Sequence, residues 1–226
     1  MARDWSKLAG RFLVFDGPDG SGKSTQFRRF ADEATAAGLR VCEVREPGGT
    51  PVGEAVRKLL LDPAYEGMNL TGEMLLYMAS RAELVASRVK PALARGELVL
   101  ADRFISSTLA YQGTAGGLDL EDIRAVGRVA VGETWPDTVV IFDVDTPTAQ
   151  RRMNPLLRER EFDTDLDRIE MRGSAYHAKV RRGYLDQTER EPERYVVVDA
   201  TADEQTVYER LLAGVGVGVG KGRGGE

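Results

Sequence analysis

The stretch "RFLVFDGPDGSGKST", residues 11–25, constrains the chain more than any other. Residues 11–16 read as a buried strand, Gly17-x-x-x-x-Gly22-Lys23-Ser24 follows, and a helical pattern runs on to Gly38. Glycines let a backbone curl until several N–H groups point inward, and a helix N-terminus adds positive partial charge. Strand, glycine loop and helix in that order make a phosphate cradle, formed here by Gly17, Pro18, Asp19, Gly20, Ser21, Gly22, Lys23, Ser24 and Thr25. Lys23 would reach the β- and γ-phosphates of a nucleotide, and the Ser24 hydroxyl would ligate Mg²⁺. A glycine-rich turn with no ligand would not need Lys and Ser in this register. By itself the motif fits a kinase, a GTPase, an ATPase motor or a passive nucleotide binder.

Four more apolar runs read as strands, at 39–45, 97–102, 137–144 and 194–200, and helical patterns separate them. Continuous apolar strands alternating with helices predict an α/β three-layer sandwich: a parallel sheet of five strands with helices on both faces. A helix from Thr71 to about Arg95 is expected to kink at Pro91. Thr146 is the expected N-cap of another, with Pro147 as its first helical residue. One domain is expected over 11–213, after an N-terminal extension at 1–10. Residues 154–166 read as a charged loop, and the glycines of 214–226 predict a disordered tail because ordering them costs much backbone entropy.

Composition removes several classes. The 226 residues carry a net charge of −5, which speaks against a general nucleic-acid partner. One cysteine, Cys42, allows no intrachain disulfide, and its apolar surroundings predict a packing role. One histidine, His177, rules out a histidine-rich metal site. No apolar run reaches membrane-spanning length and the first ten residues lack a signal-peptide core, so the cytoplasm is the expected location.

In a parallel sheet, ligands bind beyond the carboxyl ends of the strands. The phosphate loop marks that edge after the first strand. The second strand delivers Arg45 there and the third delivers Asp102-Arg103, so a second anion is expected beside the nucleotide. The plainer alternative is a pair of surface arginines balanced by Glu46 and Asp102. Asp143, closing the fourth strand, fits either a metal-organising carboxylate or a brace for the next helix. No N-K-x-D for guanine is present.

The segments "FDGPDGSGKST", "REPGGT", "LLYMASRAELV", "LADRFISSTLAYQG", "FDV" and "DLDRIE" occur in this order. In that set the chain resembles the thymidylate kinases over about residues 11–212. The resemblance implies a mobile lid at about 154–166, a homodimer, and transfer of a phosphoryl group from ATP to dTMP with Mg²⁺. It implies that Asp19 lies near the sugar 3′-hydroxyl, that Arg45 and Arg103 hold the acceptor phosphate, and that Arg81 meets a thymine carbonyl. Tyr77 stands where the family usually has a stacking phenylalanine. Thr108 and Gln112 match the region that reads the polar edge of the base, Tyr111 packs against the sugar, and Glu170 lies near the sugar and metal. Tyr77 and Arg81 are i and i+4, which places ring and guanidinium on one helix face.

A phosphate oxygen as acceptor needs no strong base, so catalysis would rest on positioning and charge neutralisation. Asp102 would organise metal-bound water or orient Arg103. Where some members carry a loop arginine, this chain has Gly20, and the resemblance then points to an arginine of the lid. Arg151, Arg152, Arg158, Arg160 and Arg168 lie in that region, and Arg158 and Arg160 fall in its loop-like part. Competing readings are a UMP or dCMP kinase, a deoxynucleoside kinase, and a nucleotide-binding regulator without catalysis.

Overall fold

The computed structural model describes residues 3–149, 151–152, 168–169 and 172–218. Five strands, β1 (Phe12–Asp16), β2 (Val41–Arg45), β3 (Leu98–Asp102), β4 (Thr138–Asp143) and β5 (Tyr195–Asp199), form one sheet in the order β2-β3-β1-β4-β5. Every pairing is parallel, as strands separated by helices require. The helices are α1 (Lys23–Ala36), α2 (Pro51–Leu61), α3 (Leu70–Leu84), α4 (Lys90–Ala94), α5 (Ile105–Thr108), α6 (Leu120–Val131), α7 (Ser174–Arg190) and α8 (Glu204–Gly214).

Side chains alternate across the sheet, so β1 feeds two cores. Phe12 and Val14 join Met78 of α3, Ile123 of α6 and Tyr184 of α7 on one face. Leu13 and Phe15 join Phe30 of α1 and Leu211 of α8 on the other. Phe15 is fully buried, with Phe30 and Phe142 ring centroids at 5.3 and 5.5 Å. This aromatic cluster underlies the phosphate loop and fixes the end of β1.

Local departures from the expected elements have local causes. The helix expected to kink at Pro91 runs as α3, a widened turn over Val85–Val89, and α4. Proline has no N–H for the carbonyl one turn back, and the widened turn ends just before it. The described residues of the helix after β4 are 146–149 and 151–152, and its cap is Asp145 rather than Thr146. Asp145 Oδ1 accepts the Thr148 N–H at 2.8 Å. That backbone bond, working against burial, holds the Asp145 carboxyl below its usual range.

The ends of the chain are closer to the fold than their composition suggests. Trp5, Leu8 and Val217 are buried in the core of α1 and α8, and the Asp4 N–H donates to the Gly218 carbonyl at 3.3 Å. Residues 214–218 therefore do not match the expected disordered tail; burial of Val217 offsets the cost of ordering its glycine neighbours. Residues 219–226 lie outside the described residues. Among the described residues no helix is long and apolar enough to cross a membrane.

Candidate active site

The loop leaves β1 at Asp16 and turns into α1 at Gly22. Gly17 has φ 139°, and a Cβ there would lie 2.6 Å from the Phe142 carbonyl oxygen, so only glycine fits. Gly22 has φ 82° and offers no side chain to cap α1, which leaves the first N–H groups of the helix open to an anion. The Ser21 hydroxyl is buried without a hydrogen-bond partner. Lys23 is buried and ion-paired with Asp102, whereas Ser24 and Thr25 are exposed on the first turn of α1. Asp102, expected to act on metal water or on Arg103, is therefore bonded to the loop lysine.

A cavity of about 230 Å³ opens beside this loop. Asp19, Lys23 and Arg103 line its loop side, and Tyr77, Arg81, Thr108, Tyr111 and Gln112 line the rest. The sequence expectation thus converges on one pocket at these positions. Arg45 is the exception. It is exposed and pairs with Glu54 at 2.7 Å, away from the cavity. Successive side chains of a strand point to opposite sides, so Val44 and Glu46 turn inward when Arg45 turns out. The arginine that does line the cavity from this part of the chain is Arg57 of α2, whose Nη1 donates to the Pro47 carbonyl at 3.1 Å.

Glu46 takes the inward place and neutralises Arg81. Arg81 Nε donates to Glu46 Oε2 at 2.8 Å, and its Nη2 donates to Thr108 Oγ1 at 3.1 Å. Burial pushes the Glu46 carboxyl up to about 7 against the pull of the Arg81 charge. Its Oε1 is buried with no hydrogen-bond partner. Deeper in, Gln112 donates to Glu73 Oε1 at 2.8 Å, and Glu73 Oε2 pairs with Arg168 at 2.6 Å and Arg172 at 2.8 Å.

Arg103 has φ 70°, a left-handed backbone that a long side chain rarely adopts. Its Nη1 donates to Ser107 Oγ and the Tyr184 hydroxyl, each at 3.1 Å, and its Nη2 pairs with Asp19. The Tyr111 hydroxyl donates to Asp19 Oδ2 at 3.0 Å. Burial works to raise the Asp19 pKa, but Arg103, Lys23 and this hydroxyl outweigh it and hold the carboxyl below its usual range. Burial also pushes the Tyr111 and Tyr184 hydroxyls well up, which keeps both as donors.

Three arginines considered for the lid are committed elsewhere. Arg151 donates to Thr148 Oγ1 at 2.7 Å, Arg152 to the Ala200 carbonyl at 2.8 Å, and Arg168 to the Leu60 carbonyl at 3.1 Å as well as pairing with Glu73. Arg158, Arg160, Glu170 and the lid expected at 154–166 lie outside the described residues. Asp143 accepts two hydrogen bonds from Arg181, at 2.7 and 2.8 Å, and so braces α7. Sequence reasoning missed Arg57, Glu73 and Tyr184, and passed over Asp16 although it stands inside "FDGPDGSGKST". Strand alternation through "VCEVRE" would have favoured Glu46 over Arg45.

A phosphate cradle whose lysine also faces a second pocket, lined by arginines and an aromatic ring, is the arrangement of a phosphate-loop phosphotransferase. The chain belongs to the thymidylate kinase family, whose model matches residues 15–211. It is 42% identical over 210 residues to the thymidylate kinase of Deinococcus radiodurans, covering 91% of this chain and 96% of that one. It is 42% identical over 205 residues to the thymidylate kinase of Pelotomaculum thermopropionicum, covering 91% and 92%. Among solved structures, thymidylate kinase from Ehrlichia chaffeensis superposes with a TM-score of 0.72 at 30% identity, covering 91% of this chain and 98% of that one.

Proposed function

We propose that the chain transfers the γ-phosphoryl group of ATP to dTMP, giving ADP and dTDP. The observation that carries this is the cavity of about 230 Å³ that joins Tyr77, Arg81, Thr108 and Gln112 to Lys23 and Arg103 in one space. A flat ring with amide, hydroxyl and guanidinium donors suits a pyrimidine, and cations at the loop end suit its phosphate.

In this reading Tyr77 stacks on the base, and Arg81, Thr108 and Gln112 meet its polar edge. Tyr111 packs against the sugar and Asp19 meets the 3′-hydroxyl. Arg103 holds the acceptor phosphate, and Arg57 takes the place first given to Arg45. Lys23 and the amides at the start of α1 hold the donor phosphates. The two phosphates then meet across Lys23 and Arg103, and the rate comes from positioning and from charge stabilised in a water-poor site.

The residues also fit Mg²⁺. Among the described residues no cluster of three His, Cys, Asp or Glu is available, which suits an ion that keeps waters and phosphate oxygens as most of its ligands. The Ser24 hydroxyl would hold it directly and Asp102 through water, and when bound it supplies charge neutralisation at the β- and γ-phosphates. In this reading Arg158 or Arg160 would supply the further positive charge for the transferring group, and Glu170 keeps the role toward sugar and metal that the family resemblance implies. Comparing kcat of Arg158→Ala and Arg160→Ala identifies which arginine acts.

The same reading includes a cytoplasmic homodimer. Exposed Val52 and Leu59 on α2 and Leu75 on α3 are apolar side chains that a second copy would cover. Sedimentation equilibrium tests the dimer.

The test of function is product analysis with ATP and Mg²⁺ against dTMP, dUMP, dCMP and UMP. Preferential appearance of dTDP is expected. ADP release that does not depend on any acceptor would replace this reading with an ATPase, and no turnover with any acceptor would replace it with a binding module.

A further inference from the structure

Asp16 is a fully buried carboxylate at the last position of β1. It accepts hydrogen bonds from the Ser106 hydroxyl at 2.6 Å, the Ser107 hydroxyl at 2.8 Å, the Tyr184 hydroxyl at 2.6 Å and the Gly17 N–H at 3.0 Å. Burying a carboxylate is costly unless it is well bonded, and this one is satisfied chiefly by neutral donors. Its only cationic neighbour within ion-pair distance among the described residues is Arg103, with Nη1 at 3.5 Å.

Two roles are open to such a group. It could pin the start of the phosphate loop, or it could organise what surrounds Arg103. Only one of its four donors, the Gly17 N–H, belongs to the loop. The other three come from α5, which carries Ser106 and Ser107, and from α7, which carries Tyr184. Two of those three, Ser107 and Tyr184, also accept from Arg103 Nη1, each at 3.1 Å. Both hydroxyls reach Asp16 Oδ1 and lie 2.8 Å from each other, so with their hydrogens used within this cluster they meet the guanidinium as acceptors. The Gly17 carbonyl, 3.4 Å from the same nitrogen, closes the ring of acceptors.

Arg103 is thereby divided. Nη1 is anchored among Asp16, Ser107, Tyr184 and Gly17, and the left-handed backbone aims the side chain from the end of β3. Nη2 stays on the cavity side, where it meets Asp19. An arginine fixed by one amino group presents the other with little orientation left to lose.

We propose that Asp16, acting through the Ser107 and Tyr184 hydroxyls, is the positioning residue that sets the Arg103 guanidinium for the acceptor phosphate. This rests on Arg103 as an acceptor-phosphate ligand. Asp16 is fully buried and does not line the cavity; it orders the acceptors that hold the arginine, and Tyr184 carries that order across from α7.

The test is a pair of double-mutant cycles read by steady-state kinetics. Asp16→Asn and Tyr184→Phe are measured in the wild-type chain and in Arg103→Ala. In the wild-type chain each is expected to lower kcat/KM for dTMP by about 10- to 100-fold, the loss of one hydrogen bond to a charged group, with KM for ATP within about twofold. In Arg103→Ala neither is expected to lower it further by more than about twofold, because the arginine they position is gone. Equal losses in both backgrounds, or a rise in KM for ATP as large as that for dTMP, overturns the proposal in favour of a general support of the loop. If Asp16→Asn does not fold, Tyr184→Phe and Ser107→Ala complete the cycles, since each removes only a hydroxyl. Arg103→Ala with unchanged dTMP kinetics overturns the phosphate-ligand role itself. Arg103→Ala with a large loss and additive partners overturns only the positioning role.

Discussion

Strands β2 and β3 end side by side in two charged dipeptides of opposite order, Arg45-Glu46 and Asp102-Arg103. Arg45 and Asp102 are paired in register. At β2 the acid turns into the cavity and the base into solvent. At β3 the base turns in, helped by a left-handed backbone, and the acid pairs with the loop lysine. The two inward charges, Glu46 and Arg103, then do different work. Glu46 is spent on Arg81, a buried ion pair that fixes a group at the base end. Arg103 is anchored on one amino group by the Ser107 and Tyr184 hydroxyls with Asp16 behind them, and turns the other, paired with Asp19, to the phosphate end. A charge at the carboxyl edge of the sheet is functional according to which side it faces and what neutralises it.

The largest effect is expected at the inward base. Arg103→Ala should lower kcat/KM for dTMP by about 10²–10³, the scale for removing one preorganised donor to developing charge. Next comes Arg57→Ala, expected to raise KM for dTMP by about 10- to 100-fold, as for a lost hydrogen bond to a charged group. A smaller effect concerns the inward acid and is read by thermal unfolding. The folded Glu46 holds its proton up to about 7, against an ordinary value of 4.5. Between these values the folded state binds more protons than the unfolded one, so this group makes stability fall as pH rises through that window and level off above it. Asp19, with a lowered value, acts only below 3.8, outside the window. Glu46→Gln should flatten the slope of Tm between pH 5 and 7, and an unchanged slope would remove Glu46 as its source. The smallest effect is at the outward base. Arg45→Ala should change KM for dTMP by less than about twofold, since an exposed ion pair contributes little.

Much of this architecture is legible in the sequence. Apolar runs set the five strands, and "GPDGSGKST" set the phosphate loop between β1 and α1. Tyr77, Arg81, Thr108, Tyr111 and Gln112 converge because two helices place them around one hollow, which helical spacing hinted at for the first pair alone. Arg45 was expected at the cavity because position at a strand end was weighed without the two-residue alternation, which turns its side chain outward to Glu54. Arg57 was missed because α2 brings it to the site from a stretch with no recognisable spacing, whereas Glu73 stands one turn before Tyr77 at the same i, i+4 spacing as Tyr77 and Arg81, a signal that went unused. Asp16 and Tyr184 lie 168 residues apart, and only the packing of α7 against β1 reveals that they share a hydrogen bond. The glycine tail misled up to residue 218 because composition does not show that Val217 has a core to enter.

The opposed facing of the two dipeptides is tested most directly by calorimetric titration of dTMP into the wild-type chain, Arg103→Ala and Arg45→Ala. The expected result is that Arg103→Ala weakens dTMP by at least about tenfold, the cost of losing a charged hydrogen bond, while Arg45→Ala binds as the wild type does. Equal weakening by both, or weakening by Arg45→Ala alone, would contradict it.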